Sequence, residues 1–365
     1  MKQLLVIAIA LVSSTAFASR ARENSLGDSP YVLDTESLYS NPAKMFLLGD
    51  FANIESGKTA TTTADQNAEG QVVRTYGDAK AGLSLGHKSL DASAQGLRQI
   101  MGAGIIEQQN PLGLSYGMKS GDVSWAGTLV YSNFNDKTNT KKESSGGVRF
   151  GALTGAWDMS LGVGLLNTAE NQAANIKYKG TLGVTAYAGY TMENLYAYGN
   201  LNLGGAKLEN DATGAEQLKV SVTDLTIGVV APVKKDGNEF FYGVALSSLN
   251  HKFTASGVDQ KETDLTLPII VGLEAEATSW LTLRGSLTQT VLLDNTKNET
   301  GAATQTAPAG EFSPGGNNTV AAIGAGLKFN KITVDGNFSA LTGGAASGNL
   351  DGNNLLTTVG VTYMF

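Results

Sequence analysis

Apolar residues take turns with small or polar ones along most of this chain, in runs of roughly 9 to 14 residues, the period of a strand with one greasy face. The stretch NPLGLSYGMKSGDVSWAGTLVYSNFN is the plainest instance. Leu112, Leu114, Tyr116 and Met118 alternate with Gly113, Ser115 and Gly117; beyond a Ser-Gly-Asp turn, Val123, Trp125, Leu129 and Tyr131 alternate with Ser124, Ala126, Thr128 and Ser132. Such a pattern predicts a hairpin with a tight turn. Further tight turns are predicted at Gly77-Asp78, near Asp158, at Glu193-Asn194, at Asp236-Gly237, around Thr278 and at Asn330. Longer Thr-, Asn- and Gly-rich loops separate the hairpins: GKTATTTADQNA, LDASAQGLRQIMGAGIIEQQ, NDKTNTKKESS, ENDATGAEQ and DNTKNETGAATQTAPAGEFSPGGNN. With a first strand near AKMFLLGDFANIES and a last one at the carboxy-terminus, the count is about sixteen, with fourteen as the alternative.

Short turns on one side and long loops on the other, with an even strand number, predict an all-β fold: a transmembrane antiparallel up-and-down β-barrel with short periplasmic turns and longer external loops. Closure follows from the solvent. Hydrocarbon offers no hydrogen bonds, so every backbone N–H and C=O at membrane depth must find a partner within a helix or a closed sheet. No helix is on offer, because the densest apolar cluster, LPIIVGL, is far short of the roughly 20 residues a spanning helix needs. The apolar face then meets lipid and the other face meets water.

Charged side chains agree with that division. Arg74, Lys80, Arg149, Glu274, Glu276, Arg284 and Asp335 are read onto the wet face and are the predicted pore-lining set. An Arg or Lys facing mid-bilayer lipid would cost about 2–4 kcal/mol. Trp157, Tyr190, Phe240, Trp280 and Phe329 fall beside the tight turns, as an interfacial girdle would. In the last strand Leu355, Thr357, Val359, Val361, Tyr363 and Phe365 share the lipid face. Val359, Val361, Tyr363 and Phe365 also resemble the carboxy-terminal signal read by the barrel-assembly machinery, alternating apolar residues ending in aromatic-x-Phe. Two irregularities are expected: a bulge or external position at Pro268, and a bulge or membrane boundary where the apolar face shifts between Val222 and Leu225.

The opening residues change the compartment. Lys2, the apolar run Leu4 to Val12, and Ala16-Phe17-Ala18 read as an export signal over 1–18, with Ser19 as the first mature residue. Residues 19–43 are read as a periplasmic or plug-like segment and 44–365 as the barrel. Gly numbers 45 and Cys 0, so neither disulfides nor cysteine metal sites stabilise an exported chain of this length. The net charge of −7, with no basic run, excludes nucleic acid as a partner class.

Asn41-Pro42-Ala43 ahead of the first strand resembles the barrel entry of the long-chain fatty-acid transporter superfamily. That resemblance implies an amino-terminal hatch inside the pore. More broadly, SRARENSLGDS, LYSNPAKMF and AKAGLSLGHKS resemble the porin-like major outer-membrane proteins of predatory delta-proteobacteria of the Bdellovibrio type, a likeness running along most of the chain.

Candidate chemistry is thin. His87 and His251 are the only histidines, both at loop ends of predicted strands and read as solvated rim groups. GHKSLD resembles the His-x-Ser order of an outer-membrane phospholipase, but the residues after Ser89 depart from that family, so no enzyme is predicted. No zinc spacing or phosphate loop occurs, and Asp294, Glu299 and Glu311 read as scattered solvated charge rather than a calcium site. No cofactor or metal is expected. The expected function is an outer-membrane porin passing ions and small hydrophilic solutes, with lipid, lipopolysaccharide and the assembly machinery as partners and a homotrimer as a possible state. The alternative is a hatch-gated transporter of hydrophobic substrates, supported by an apolar pocket at Tyr31, Val32, Leu33 and Leu38. A loop over 88–110, with Leu90, Ala94, Leu97 and Ile100 on one face, is the other candidate constriction.

Overall fold

The computed structural model describes residues 19–58, 66–88, 106, 108–255, 257–300, 312–314, 319–341 and 358–365. The constricting loop proposed over 88–110 and Ser89 lie almost wholly outside these residues. Two short helices come first, α1 (Arg20–Ser25) and α2 (Ser37–Ser40), followed by a 3-10 turn at Pro42–Phe46. The wall then begins with β1 (Phe51–Lys58), β2 (Gln66–Tyr76), β3 (Ala79–Leu85), β4 (Leu112–Ser120), β5 (Val123–Asp136) and β6 (Lys141–Thr154). It continues with β7 (Trp157–Asn171), β8 (Ile176–Gly180), β9 (Gly183–Met192), β10 (Leu195–Asn210), β11 (Glu216–Lys235) and β12 (Asn238–Ala255). The last six are β13 (Val258–Thr278), β14 (Leu281–Thr300), β15 (Phe312–Pro314), β16 (Thr319–Phe329), β17 (Ile332–Leu341) and β18 (Thr358–Met364).

Every wall strand pairs antiparallel with its neighbours, and β1 closes the ring on β18 with Phe51 opposite Met364 and Ser56 opposite Val359. The short β8 and β15 are additions at the rim, where β7 pairs past β8 to β9 and β14 past β15 to β16. Sixteen strands therefore form a closed antiparallel barrel of the bacterial outer-membrane type. Among the described residues the sixteen-strand ring leaves no edge strand to recruit another chain.

Sidedness follows the alternation. Ile54, Leu114, Leu129, Phe150, Leu161, Ile227, Leu283 and Ile323 point outward and are exposed. Asn53, Glu69, Ser132, Ser145, Asn202 and Asn337 point inward and are buried. Val361, Tyr363 and Phe365 are outward too, the last two rings meeting edge to face at 5.2 Å, while Thr358 and Thr362 face the lumen. Trp157, Phe240, Trp280 and Phe329 are exposed beside the tight turns, and Tyr190 packs on Trp157 at 4.7 Å.

Four details differ from the sequence reading. Pro42 lacks a backbone donor and the Asn41 side chain caps the Ala43 N–H at 2.9 Å, so 42–46 winds into a 3-10 turn and the first strand starts at Phe51, not at 44. The turn placed near Asp158 is at Gly155-Ala156, where Gly155 takes a φ of +57° that a glycine adopts without strain. Between Val222 and Leu225 the ladder to β10 runs unbroken, so the shift of apolar face marks a membrane boundary rather than a bulge. Beyond it Val220 and Val222 turn inward and pack with Ala206, Leu208 and Tyr178 of β8. Finally, β11 to β14 run 20, 18, 21 and 20 residues, about twice the 9–11 that cross a bilayer, so much of what read as loop is hairpin standing above the lipid. The expected irregularity at Pro268 is present. From Thr266 to Pro268 β13 advances two residues, while its partner positions on β14 go from Asp294 to Thr290, four.

Candidate functional site in the barrel lumen

The inward face holds the first described segment of the chain. Residues 19–50 cross the lumen, and side chains from strands all round the ring reach in to hold them. A small inner residue receives the segment at each close approach: a Cβ on Gly360 would overlap Ser19, on Gly324 Ser25, and on Gly151 Asn41. Only glycine leaves room there.

Two arginines of α1 anchor the first turn. Arg22 forms a two-pronged pair with Glu274 of β13, Nε to Oε2 at 2.8 Å and Nη2 to Oε1 at 3.0 Å, and also donates to the Leu33 carbonyl at 3.0 Å. Glu274 in turn accepts from Arg284 Nε of β14 at 2.6 Å, and Arg284 Nη1 reaches Asp335 of β17 at 2.5 Å. Arg20 sits among carboxylates: it pairs with Glu69 of β2 and with Glu36 at 3.4 Å, while its backbone N–H donates to both oxygens of Glu55. His87, hydrogen-bonded to Glu69 at 2.7 Å, closes this group, its ring stacked on Tyr39 at 3.3 Å. The expectation of a solvated rim histidine is thus overturned for His87, because the Tyr39 ring and the acid cluster draw it inward.

Farther along, Asp158 of β7 accepts from Asn41 Nδ2 at 2.5 Å and from Tyr196 at 3.1 Å, and pairs with Lys44 at 3.0 Å. The Ser40 carbonyl accepts from Arg149 at 3.1 Å and Ser160 at 2.7 Å, and the Leu48 carbonyl accepts from Lys80 at 2.7 Å. Apolar contacts fill the intervals. Leu38, Ala43, Met45 and Leu48 pack on Phe51, Val73 and Ala126 of the wall, and Leu26 and Val32 on Val230 and Phe241.

Of the predicted pore-lining residues, Lys80, Arg149, Glu274, Arg284 and Asp335 point inward, all five into contacts with the segment or the network that holds it. Glu276 is on the same face but exposed at the turn rim beside Gly237. Arg74 is a correction. Its neighbours Val73 and Gln71 face inward, so Arg74 faces outward, pairing with Asp50 at 3.5 Å and lying over the Phe365 ring at 4.3 Å. The reason is local: an apolar patch on the segment pulls Val73 inside and inverts the apparent polarity of β2.

Tyr31, Val32, Leu33 and Leu38 do not enclose an apolar pocket. Val32 and Tyr31 pack on Phe241, and Leu33 packs in the cluster around Leu38. A small open hollow, with room for about one water, lies instead among Leu38, Tyr39, Val73, Leu83, Val130 and Arg149. Glu36, Glu69 and His87, from three separate elements, bring ligand atoms within 4.8 Å of one another, a grouping no sequence spacing could reveal. Arg20 already stands there, Nη2 at 3.1 Å from His87 Nδ1, and supplies the positive charge.

No family model and no curated protein matches the chain. Among solved structures it is similar to a loop L8 deletion mutant of OmpT, an outer membrane protein of Vibrio cholerae, at 11% identity over 86% of this chain and 97% of that one, with a TM-score of 0.43. It is similar as well to the CymD monoaromatic hydrocarbon channel, at 10% identity over 94% and 97%, TM-score 0.44, and to a bacterial polysaccharide outer membrane secretin, at 7% over 87% and 97%, TM-score 0.46.

Proposed function

We propose that the chain is an outer-membrane channel for small hydrophilic solutes, with residues 19–50 acting as a hatch that narrows its lumen. The observation that carries this reading is the inner wall. Where outward neighbours are Leu, Ile and Phe, inward positions bear hydroxyls, amides and carboxylates that bond across strands, as Ser115 with Thr128 at 2.8 Å, Thr226 with Ser247 at 3.0 Å and Asn202 with Asp224 at 3.1 Å. A solute passing such a wall exchanges water for equivalent partners, so it meets a low barrier without any chemical step. The alternative of hydrophobic cargo is disfavoured, since the apolar side chains of the segment are spent on packing against the wall.

The porin-like resemblance, contact with lipid and lipopolysaccharide, delivery by the assembly machinery through the Val359 to Phe365 strand, and a homotrimer belong to the same reading. Liposome swelling tests it, using sugars of graded size with the chain beginning at Ser19 and with a variant lacking 19–50. Slow swelling with the first and fast, size-limited swelling with the second are expected. No swelling with either, from protein that shows barrel heat-modifiability, would make this a sealed structural barrel.

A further inference from the structure

Ser19 is completely enclosed. Its Cβ and Oγ lie over Gly360, beside the Cγ of Glu55. One residue on, the Arg20 N–H donates to the two Glu55 oxygens at 3.2 and 3.0 Å. Successive backbone nitrogens are only about 3–4 Å apart by covalent geometry, so the Ser19 nitrogen lies within reach of the same carboxylate.

The charge count there does not balance. Glu36, Glu55 and Glu69 bring three carboxyl groups around the single guanidinium of Arg20, with His87 beside Glu69. Unless protons or another cation join them, buried negative charge is left over, and an uncompensated buried charge costs several kcal/mol. Lys80, the next cation on the inner face of this part of the wall, is committed to Leu48 and Asp50. Among the described residues acids outnumber bases around Arg20, and the Ser19 nitrogen, one residue from the N–H that Glu55 already accepts, becomes an amine if the chain starts there.

We propose that cleavage between Ala18 and Ser19 creates a structural cation: the new α-ammonium of Ser19 pairs with Glu55, completes the acid cluster and locks the hatch. The step is peptide hydrolysis by a signal peptidase. The Ala18 C–N bond breaks, water gives its hydroxyl to the Ala18 carbonyl carbon and a proton to the Ser19 nitrogen, and a further solvent proton makes the ammonium. Docking of the hatch is therefore completed by processing. The proposal rests on the 1–18 export signal and on the docked hatch, and is independent of what the channel passes.

An amine-selective acylating reagent near pH 7 tests it, because a free α-amine, with an ordinary pKa of about 7.7–8.0, reacts well before lysine. With the processed protein in detergent micelles, mass spectrometry of the amino-terminal peptide should show Ser19 first and labelling at least about tenfold slower folded than in denaturant, a factor equal to 1.4 kcal/mol of protection. Glu55→Gln should restore fast labelling, while Glu193→Gln in an exposed turn should leave it slow. If Glu55→Gln does not fold, a chain with one extra glycine before Ser19, which carries the amine past the carboxylate, should label fast. A different first residue, equal labelling folded and unfolded, or slow labelling retained in Glu55→Gln or in the glycine-extended chain would each overturn it. Fast labelling of a chain whose hatch is otherwise protected would sink the ion pair and leave the channel reading standing.

Discussion

Arg20 and Arg22 stand on the same short helix, yet they hold the segment with opposite charge balances. Around Arg22 two guanidiniums meet two carboxylates, with Glu274 shared between Arg22 and Arg284, and Asp335 on the far side. Around Arg20 one guanidinium meets three carboxylates and a histidine. A balanced buried set is neutral as built, and removing one member leaves a bare charge. An unbalanced set must take protons or another cation, so its strength depends on pH and on what else arrives. The first is a fixed anchor and the second an adjustable one.

Breaking the balanced set should have the largest effect. Glu274→Ala strips the carboxylate from between two buried guanidiniums and should weaken docking of 19–50 by about 3–5 kcal/mol. Swelling rates should then approach those of the variant lacking the segment. Glu36→Gln removes one charge from the crowded set and should leave docking intact or firmer at pH 8, so the two glutamate changes, equal in formal charge, should differ in sign.

Acid sharpens the same contrast. Burial pushes the Asp34 and Glu36 carboxyls up to about 7; for Glu36 the nearby Glu69 and Asp34 add to this while His87 and Arg20 oppose it, and for Asp34 Arg22 and Lys44 oppose it. Both groups hold a proton more tightly docked than free. Docking therefore strengthens as pH falls from about 7 toward the ordinary carboxyl range near 4, and that contribution is gone once pH has risen through about 7 and both are ionised. Swelling should be slower at pH 5.5 than at pH 8.5, and Glu36→Gln should flatten the difference. The smallest effect belongs to Ser160→Ala. It deletes one hydrogen bond to the Ser40 carbonyl, which Arg149 still serves, and should cost about 0.5–1.5 kcal/mol of docking.

Most of the wall was legible because lipid imposes a strict alternation on one face. The strand count, most turns, the outward Val361, Tyr363 and Phe365, and the irregularity at Pro268 all follow from that. Where a second solvent boundary intervenes, the same rule misleads. Past the bilayer edge β11 to β14 keep pairing without a regular outward apolar face, so much of them reads as loop. Inside the barrel the segment offers apolar side chains of its own, which turned Phe51 and Val73 inward and left Arg74 on the outside.

The site was legible by half. Inward carboxylates and guanidiniums such as Glu274 and Arg284 show in the alternation, but their partners do not. Arg22 and Glu274 are 252 positions apart, and nothing local links them. His87 likewise gives no sign in sequence of Glu36, Glu69 or Tyr39, since those contacts exist only once the chain's start is folded into its own barrel. Asn41-Pro42-Ala43 is legible in sequence, and its local role is visible: Asn41 caps the 3-10 turn and reaches Asp158 on the wall.

Occupation of the lumen by residues 19–50 is the claim on which the rest depends, and thiol accessibility measures it most directly. The chain has no cysteine, so Ser25→Cys, at a fully enclosed position under Gly324, introduces a single reporter. In the folded protein a water-soluble maleimide should modify that thiol at least about tenfold more slowly than in denaturant, and combining the change with Glu274→Ala should restore the fast rate. Equal rates in the folded and unfolded single variant would mean that the segment lies outside the barrel.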